Sequence, residues 1–549
     1  MKILRLKVNK QGENYIIFMI SRKTEVFLHR KKRNCYNRTI QKIRNIREYT
    51  MESLYRKLKE YGEGDTYPFH MPGHKRNMGG YGFEDPFSFD ITEIDGFDNL
   101  HHAQGILREA QQRAARLYGA RETFFLVNGS TAGILSAVSG CTSQGGKLLM
   151  ARNCHKAVYH AAALKELDTV YLYPEKEPEY GLNGGITPGQ VEQALREDAG
   201  IEAVIITSPT YDGVVSDVRG IARAAHRFHV PLIVDEAHGA HFRFHPCFPV
   251  SAVDCGADVV IQSVHKTLPS LTQTALLHLC GSFSDGERIR RYLSVYQTSS
   301  PSYVLMASID RCMELLEEDI EASGGKAPGS LFQTFFRHLQ EFREEMQALK
   351  HLQLVGEEIT GQAGIYALDP SKLVISGKRA GIPGLEIQSY VREKHRMELE
   401  MAAGSYALGI STVMDTREGF ERLFQALKAL DEVLGRSGHA AAGGPGKAGG
   451  LFENGGKKTE GECMLQYPEK VCRISEAETS ELEELPLAMA AGRICGEYIY
   501  LYPPGIPLVT PGERLTGEMI RGLTAYVKSG YTLEGMRDLS GRRLLVMKD

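Results

Sequence analysis

The sequence lacks the features that mark zinc-binding, disulfide-stapled or membrane-spanning chains. Its ten cysteines include no C-x-x-C pair, so neither a zinc ribbon nor a disulfide framework is indicated, and a reducing cytoplasm is the expected setting. The apolar run Tyr15–Ile20 is far shorter than the ~18–20 residues needed to span a bilayer, and Arg22 and Lys23 follow it. We therefore expect no transmembrane segment, and no signal peptide is evident.

An excess of charge of either sign is also missing from the chain as a whole. The net charge is -3, from 65 basic and 68 acidic residues. The first fifty residues hold 14 basic and 3 acidic residues, a net of +11, which leaves −14 for the remainder. A basic arm can bind nucleic acid or a membrane surface. Because Met51 opens a plausible amphipathic helix, we instead expect residues 1–50 to be an extension from a misassigned start, and nucleic acid is not an expected partner.

Size and composition predict a globular protein of several domains. Its 549 residues exceed the usual ~100–200 residues per domain, and 42% are hydrophobic. A Gly/Ala-rich stretch at 437–462 cannot bury enough apolar surface to order itself and reads as a linker. The expected segments are a basic extension (1–50), a major α/β domain (51–325), a small α/β domain (326–436), the linker (437–462) and a C-terminal α+β domain (463–549).

Apolar runs alternate with helical patterns through the major domain. This alternation predicts a mostly parallel, doubly wound sheet. The candidate strands are Thr123–Val127, Lys147–Ala151, Ala203–Thr207, Pro231–Asp235 and Asp258–Gln262. Helices are expected at Gln333–Ala348, Arg417–Leu434, Ser475–Leu487 and Gly517–Ser529, with a strand at Gly496–Leu501. Ligands of such sheets bind outside the carboxyl ends of the strands, so the residues that follow each strand are the candidates for chemistry.

The first candidate strand leads into the sequence NGSTAG at 128–133. Two glycines, the hydroxyls of Ser130 and Thr131 and a helix N-terminus would form an anion site. The same Ser-Thr pair is also an ordinary helix cap. The spacing G-x-x-x-x-G-K-[ST] is absent, so this is not a Walker loop.

Two further strand ends carry reactive groups. Asp235 opens DEAHGAH and could either hold a cationic ring nitrogen or ligate a metal with His238 and His241, although the spacing is not H-E-x-x-H. Ser263-Val264-His265-Lys266 follows the last strand. A lysine for a Schiff base, an acid for a pyridinium nitrogen and a phosphate site together suit pyridoxal 5'-phosphate, and no resident metal is expected.

These motifs resemble the Orn/Lys/Arg decarboxylase family of the pyridoxal-phosphate fold type I. The resemblance covers roughly residues 51–436 and 463–540. It includes HMPGHKR (70–76), DITEIDGFDNL (90–100), RNCHKAVYHA (152–161), SPTYDG (208–213), DEAHGAHFRFHP (235–246), SVHKTLPSLTQ (263–273), TSSPSY (298–303) and YPPGIPLVTPGE (502–513). Too little chain precedes HMPGHKR for the response-regulator-like domain of the larger members, so the match is to the compact branch.

The resemblance implies a role for each candidate residue. Lys266 would hold the cofactor, Asp235 would pair with its ring nitrogen, and Lys266 or His265 would return a proton to Cα. The remaining cofactor-binding residues would be Ser130, Thr131, Ser263 and His265 at the phosphate, His155 stacked on the ring, and His238 lining the pocket. The family builds shared sites in homodimers or higher homo-oligomers, with Thr298–Ser300 reaching the neighbouring phosphate.

The implied reaction is decarboxylation of arginine, lysine or ornithine, with arginine or lysine favoured by the branch. A basic substrate calls for carboxylates, and Asp90 and Glu93 are the expected ones. We assign no metal to His70 and His74 in HMPGH and no chemistry to the stiff YPPGIP turn. Two alternatives stay open: another fold-type-I enzyme, such as an aminotransferase or lyase, and a cofactor-binding regulator that uses residues 1–50 on nucleic acid.

Overall fold

The computed structural model describes residues 7–8, 14–15, 58, 61–77, 85–436, 467–501, 505–528 and 532–548. The chain divides into two compact units, Met1–Asp65 and Thr66–Asp549. In the first, Lys7–Val8 and Asn14–Tyr15 pair antiparallel. The predicted linker at 437–462 and most of the helix expected after Met51 lie outside the described residues, as do positions 502–504 of the YPPGIP turn. No helix in the described ranges is long and apolar enough to cross a membrane.

A seven-stranded sheet forms the centre of the second unit. Its strands are β1 (Glu122–Leu126), β2 (Lys147–Ala151), β3 (Asp168–Leu172), β4 (Ile201–Thr207), β5 (Leu232–Asp235), β6 (Val259–Gln262) and β7 (Ala275–Leu279). They are ordered β1-β7-β6-β5-β4-β2-β3, and only β7 runs antiparallel to its neighbours. The predicted mostly parallel sheet is thus confirmed, with strand ends displaced by at most two residues.

Helices cover both faces of this sheet, as continuous apolar strands require. They are α1 (Ile106–Tyr118), α2 (Gly129–Cys141), α3 (Lys156–Leu164), α4 (Pro188–Glu197), α5 (Val218–Arg227), the single turn α6 (Val264–Thr267), α7 (Gly286–Tyr296) and α8 (Tyr303–Ala322). Gly133 lets α2 lie directly on the sheet, because a Cβ there would come within 2.6 Å of Leu126 and 3.1 Å of Ile261. The close approach places the start of α2 beside the ends of β1 and β6.

A smaller antiparallel sheet follows. It consists of β8 (Gln353–Leu354), β9 (Lys372–Ser376), β10 (Met401–Ala403) and β11 (Tyr406–Ile410), in the order β8-β9-β11-β10. Its helices are α9 (Ser330–Met346), α10 (Gly384–His395) and α11 (Arg417–Arg436). Two short ladders join it to earlier segments: Met397–Leu399 pairs with Tyr67–Phe69, and Ala367–Leu368 with Val214–Val215. These ladders bring the HMPGHKR and SPTYDG loops to the small sheet.

The C-terminal segment packs its own core. Its elements are α12 (Ile474–Thr479), β12 (Leu482–Pro486), β13 (Ile499–Leu501), β14 (Ile506–Val509), α13 (Gly517–Lys528), β15 (Leu533–Glu534) and β16 (Arg543–Met547). The helix predicted over Ser475–Leu487 is wrong beyond Thr479. Residues 482–486 instead pair antiparallel with β16, because a ladder partner outweighs the helical propensity of Leu and Glu.

A buried ion pair fastens the C-terminal segment to the end of β2. Arg152 and Glu513 are 0% and 1% exposed, with Nη2 of the arginine 3.0 Å from Oε2 of the glutamate and Nε 3.2 Å from Oε1. Arg152 also donates to Pro507 O at 2.7 Å. Pro507 and Glu513 of the YPPGIPLVTPGE motif therefore hold Arg152, which lies three residues before His155.

Candidate active site at the carboxyl edge of the central sheet

Parallel strands deliver the predicted residues to one edge of the sheet. Asp235 ends β5 and pairs in register with Ile261 of β6. Ser263 follows β6, and Lys266 lies in the turn α6. Ser130 lies in the first turn of α2, and its Oγ accepts a 3.0 Å hydrogen bond from Ser263 Oγ. The structure therefore brings together Ser130 and Ser263 from two different strand ends.

The two serines and the start of α2 form a candidate anion cradle. Gly129 has φ +70°, a left-handed conformation that glycine adopts without strain, and it turns the chain into α2. Ser263 is buried, Ser130 is half-buried, and Thr131 is exposed. Thr298 N donates to Asn128 Oδ1 at 3.2 Å, so the TSSPSY segment contacts this loop within the same chain. Helix N–H groups and hydroxyls in this arrangement suit a phosphate.

Asp235 and Lys266 form an electrostatically coupled pair. Asp235 is 2% exposed, and in the described part of the chain the one hydrogen bond of its carboxylate comes from Ala237 N, at 3.2 Å. Burial raises the pKa of Asp235, and the charge of Lys266 opposes this shift. Burial lowers the pKa of Lys266, against the charges of Asp235 and Glu400. A lowered pKa gives Lys266 more of the neutral amine that attacks carbonyl carbons.

His238 lies directly against Lys266. Its Nε2 is 3.0 Å from Lys266 Nζ, and its ring centroid is 4.7 Å from that of Tyr211. Burial holds the pKa of His238 well below its usual value, and the charge of Lys266 adds to the effect. His241, the other candidate metal ligand, has its Nε2 3.3 Å from Asp369 Oδ1 instead. Within the described ranges no group of three metal-binding side chains occurs.

His265 and His155 are held as neutral rings with defined tautomers. Burial lowers the pKa of His265 to about 4; the pKa of His155 falls to about 3 through burial and the charge of Lys266. His265 Nδ1 lies 2.8 Å from the carbonyl oxygen of Thr274, which only accepts, so Nδ1 carries the proton. His155 caps α3, with Ala157 N donating to its Nδ1 at 3.2 Å.

These tautomers bear on the expected roles. The free nitrogen of His265, Nε2, presents a lone pair, so this ring can accept a proton but cannot donate to a phosphate in this state. The phosphate contact expected of His265 would need a second proton on the ring. His155 keeps its proton on Nε2 and stays neutral, and in this state its ring can stack on an aromatic cofactor. Both roles remain predictions.

The small sheet supplies residues that the sequence interpretation missed. Lys372 Nζ lies 2.9 Å from His238 Nδ1, on the side of the ring opposite Lys266. Glu400 accepts a 2.8 Å hydrogen bond from Met71 N and another from the Tyr211 hydroxyl. Glu400 therefore joins the HMPGHKR loop to the SPTYDG loop. Tyr211 falls within a quoted motif, but Lys372 and Glu400 lie in no motif and gave no signal.

The acidic residues expected to bind substrate make no hydrogen bond to this cluster within the described residues. Asp90 is exposed, and in the described part of the chain neither it nor Glu93 bonds to Lys266 or its neighbours. Glu93 is half-buried, and its Oε1 is buried without a hydrogen-bond partner among the described residues. Asp98, a few residues further along the same motif, accepts hydrogen bonds at the start of α1, from Gly105 N at 2.8 Å and Leu107 N at 3.2 Å. Of the two expected residues, Glu93 is therefore the one with a buried carboxylate oxygen that bonds to no described residue.

Known proteins match this chain over most of its length. A family profile described as "Orn/Lys/Arg decarboxylase, major domain" matches residues 52–410, and one for the C-terminal domain matches residues 458–538. An arginine decarboxylase of Bacillus subtilis is 32% identical over 503 residues, covering 90% of this chain and 98% of the relative. A lysine decarboxylase of Pseudomonas aeruginosa is 25% identical, covering 89% and 77%.

A solved structure confirms the expected fold. The lysine decarboxylase of Francisella novicida superposes with a TM-score of 0.69 at 19% sequence identity, covering 94% of this chain and 84% of the other. That likeness supports the fold-type-I architecture. The profile matches and the extent of the sequence similarity support the family itself. The chain belongs to the Orn/Lys/Arg decarboxylase family.

Proposed function

We propose that the chain is a pyridoxal-phosphate-dependent carboxy-lyase that releases CO2 from a basic amino acid, with arginine as first candidate ahead of lysine and ornithine. The convergence of Lys266, Asp235 and the Ser130–Ser263 pair on one sheet edge, in a member of this family, carries the proposal. Arginine comes first because the Bacillus subtilis relative named for it is more similar than the Pseudomonas aeruginosa relative named for lysine. The product would be the corresponding amine of polyamine synthesis.

The residues present fit the cofactor by the chemistry of their donors and acceptors. A buried carboxylate with a single hydrogen bond, Asp235, suits a protonated ring nitrogen, because an opposite charge offsets the desolvation that raises its pKa. Hydroxyls of Ser130 and Ser263 at the start of α2 suit a phosphate. Lys266 supplies the amine. His155 supplies a neutral ring for stacking.

The division of labour among these side chains follows from their protonation states. When bound, pyridoxal phosphate supplies an electron sink for the pair of electrons left on Cα as CO2 departs. Lys266 would hold the group through its Nζ, and that amine would be free while substrate occupies the site. His265 offers a lone pair at Nε2, and the Lys266 amine, once free, can carry the proton that Cα needs. Asp235 would pair its carboxylate with the ring nitrogen, whose positive charge would favour the ionised form against the burial that raises its pKa.

Recognition of the distal cation is assigned to Glu93 and Asp90. Glu93 is preferred because its Oε1 is buried without a partner among the described residues, whereas Asp90 is exposed. We further propose that the active form is a homodimer or a higher homo-oligomer with shared sites, in the cytoplasm.

Product analysis tests the proposal. Cofactor-loaded protein is incubated separately with arginine, lysine and ornithine, and CO2 and the amine are quantified by mass spectrometry. We expect one substrate to be strongly preferred, Lys266→Ala to abolish release, and Lys378→Ala, an exposed lysine of the small domain, to leave it unchanged. Formation of keto acid in place of amine would assign the chain to aminotransfer, and absence of CO2 with all three amino acids would refute the proposal.

A further inference from the structure

His238 bridges two lysine side chains. On one side its Nε2 is 3.0 Å from Lys266 Nζ; on the other its Nδ1 is 2.9 Å from Lys372 Nζ. Lys372 is 2% exposed. Buried lysines are rare unless they are paired, so this one requires an explanation. The contact with His238 is the one hydrogen bond that its amine makes within the described residues.

The backbone and a glycine hold Lys372 in this position. It is the first residue of β9 and pairs with Ile410 of β11. Its stem lies against Gly213, where an added Cβ would be 2.7 Å from Lys372 Cγ. Gly213 has φ +95°, a conformation that disfavours any other residue. The SPTYDG loop and the small sheet therefore fix the direction of the Lys372 stem.

The chemistry of the two groups determines where the proton of His238 resides. A lysine ammonium has three donors and no acceptor, so the nitrogen it contacts must present a lone pair. A neutral imidazole has one N–H, and with Nδ1 accepting from Lys372 that N–H is at Nε2. Burial keeps the ring neutral by lowering its pKa well below the usual value. The Nε2–H then points at Lys266 Nζ, which accepts this hydrogen bond in its unprotonated form, the form that burial favours by lowering the pKa of Lys266.

We propose that Lys372 is a positioning residue that fixes His238 as an N–H donor toward the Lys266 nitrogen. The proposal rests on the proposed function of Lys266 as the cofactor-bearing lysine. A donated hydrogen bond stabilises the unprotonated form of that nitrogen, because the lone pair must be available to accept it. The small domain thereby acts on the reactive amine through one imidazole.

Several charged groups surround the chain of contacts from Lys372 through His238 to Lys266. Lys372 faces Asp369, Glu400, Lys266 and Lys75, and burial lowers its pKa to about 8. His238 faces Lys266, Lys372, His265 and His155, with the Tyr211 ring beside it. A lysine that loses its proton near pH 8 no longer has to donate. Above that pH the constraint on the His238 tautomer should relax.

A pH titration of the lysine-bound cofactor tests whether Lys372 fixes His238 as a donor toward Lys266. In full-length, cofactor-loaded protein, Lys372→Met should raise the midpoint of the absorbance change by about one pH unit, a tenfold change in proton affinity. Lys372→Arg should restore most of the shift, and Lys378→Met, an exposed control in the same domain, should not move the midpoint. In the His238→Ala background, Lys372→Met should add almost nothing, since both changes remove the same bond.

Two results would overturn the inference: an unchanged midpoint in Lys372→Met, or an equal shift with His238 already removed, which would mean that Lys372 acts by its charge alone. If the loaded wild-type protein shows no such absorbance, the proposed function fails instead. Nitrogen NMR of the wild-type chain with labelled histidine then shows which ring nitrogen of His238 carries the proton, without the use of any Lys372 variant. The signal that is lost in His238→Ala identifies this residue. Below pH 8 the proton should be on Nε2, and finding it on Nδ1 would contradict the inference.

Discussion

Replacing Glu513 with glutamine should destabilise the folded chain far more than replacing a surface carboxylate. Glu513 and Arg152 are almost completely buried and are joined by two hydrogen bonds of 3.0 and 3.2 Å. Glu513 also accepts from Thr510 N at 2.7 Å. Removing one partner of a buried pair leaves an uncompensated charge and costs about 3–5 kcal/mol. The expected loss in the free energy of unfolding lies in that range.

A matched control is available in the same segment. Arg543 and Glu484 form a 2.9 Å pair with side chains 47% and 38% exposed, and exposed pairs contribute about 0–1 kcal/mol. Chemical denaturation of Glu513→Gln and Glu484→Gln, monitored by circular dichroism, gives the comparison. The double variant Arg152→Met/Glu513→Leu should lose less than the sum of its single changes, because no lone charge is left buried. If Glu513→Gln and Glu484→Gln lose the same free energy of unfolding, burial does not make the Arg152–Glu513 pair more stabilising than the exposed pair.

Three further predictions concern the site and the core. Asp235→Asn should lower kcat/KM for decarboxylation at least about 100-fold, which corresponds to about 2.7 kcal/mol, because a neutral amide cannot hold a cationic ring nitrogen. The melting temperature should change little. Full activity of this variant would contradict the role of Asp235. Glu93→Gln should raise KM more than Asp90→Asn does, and equal effects would remove the distinction between them. Burial lowers the pKa of His278 to about 3. As the pH falls below 6.5, His278 therefore takes up a proton in the unfolded chain before it does so in the folded chain. The contribution of His278 to the free energy of unfolding is complete above pH 6.5 and falls by about 2 kcal/mol by pH 5. In His278→Gln the free energy of unfolding should therefore depend less steeply on pH. An unchanged pH dependence would contradict the lowered pKa of His278.

The sequence predicted the central sheet well because its strands are buried on both faces. Lys147–Ala151 has the predicted bounds. Asp235 and Lys266 follow adjacent parallel strands, whose carboxyl ends necessarily lie at one edge. The hydroxyls of Ser130 and Ser263, both expected at a phosphate, lie 3.0 Å apart, and their role at a phosphate stays a prediction. Local patterns and strand order are therefore sufficient to place most of the candidate site.

Features that depend on distant partners could not be predicted. Lys372 looks like a surface lysine at the start of a strand, and it is buried only because Gly213 and His238 meet it from other segments. The stretch 482–486 looks helical by composition, and its ladder partner lies about sixty residues later in the chain. The protonated nitrogen of His265 is set by the Thr274 carbonyl, a backbone group that no residue type reveals.

Mapping the site of covalent attachment shows most directly whether Lys266 holds the cofactor. Cofactor-loaded protein is reduced with borohydride, digested and mapped by mass spectrometry. We predict a single pyridoxyl-modified peptide that contains Lys266, and its loss in Lys266→Ala. Modification at another lysine, or none in active protein, would contradict the assignment of Lys266.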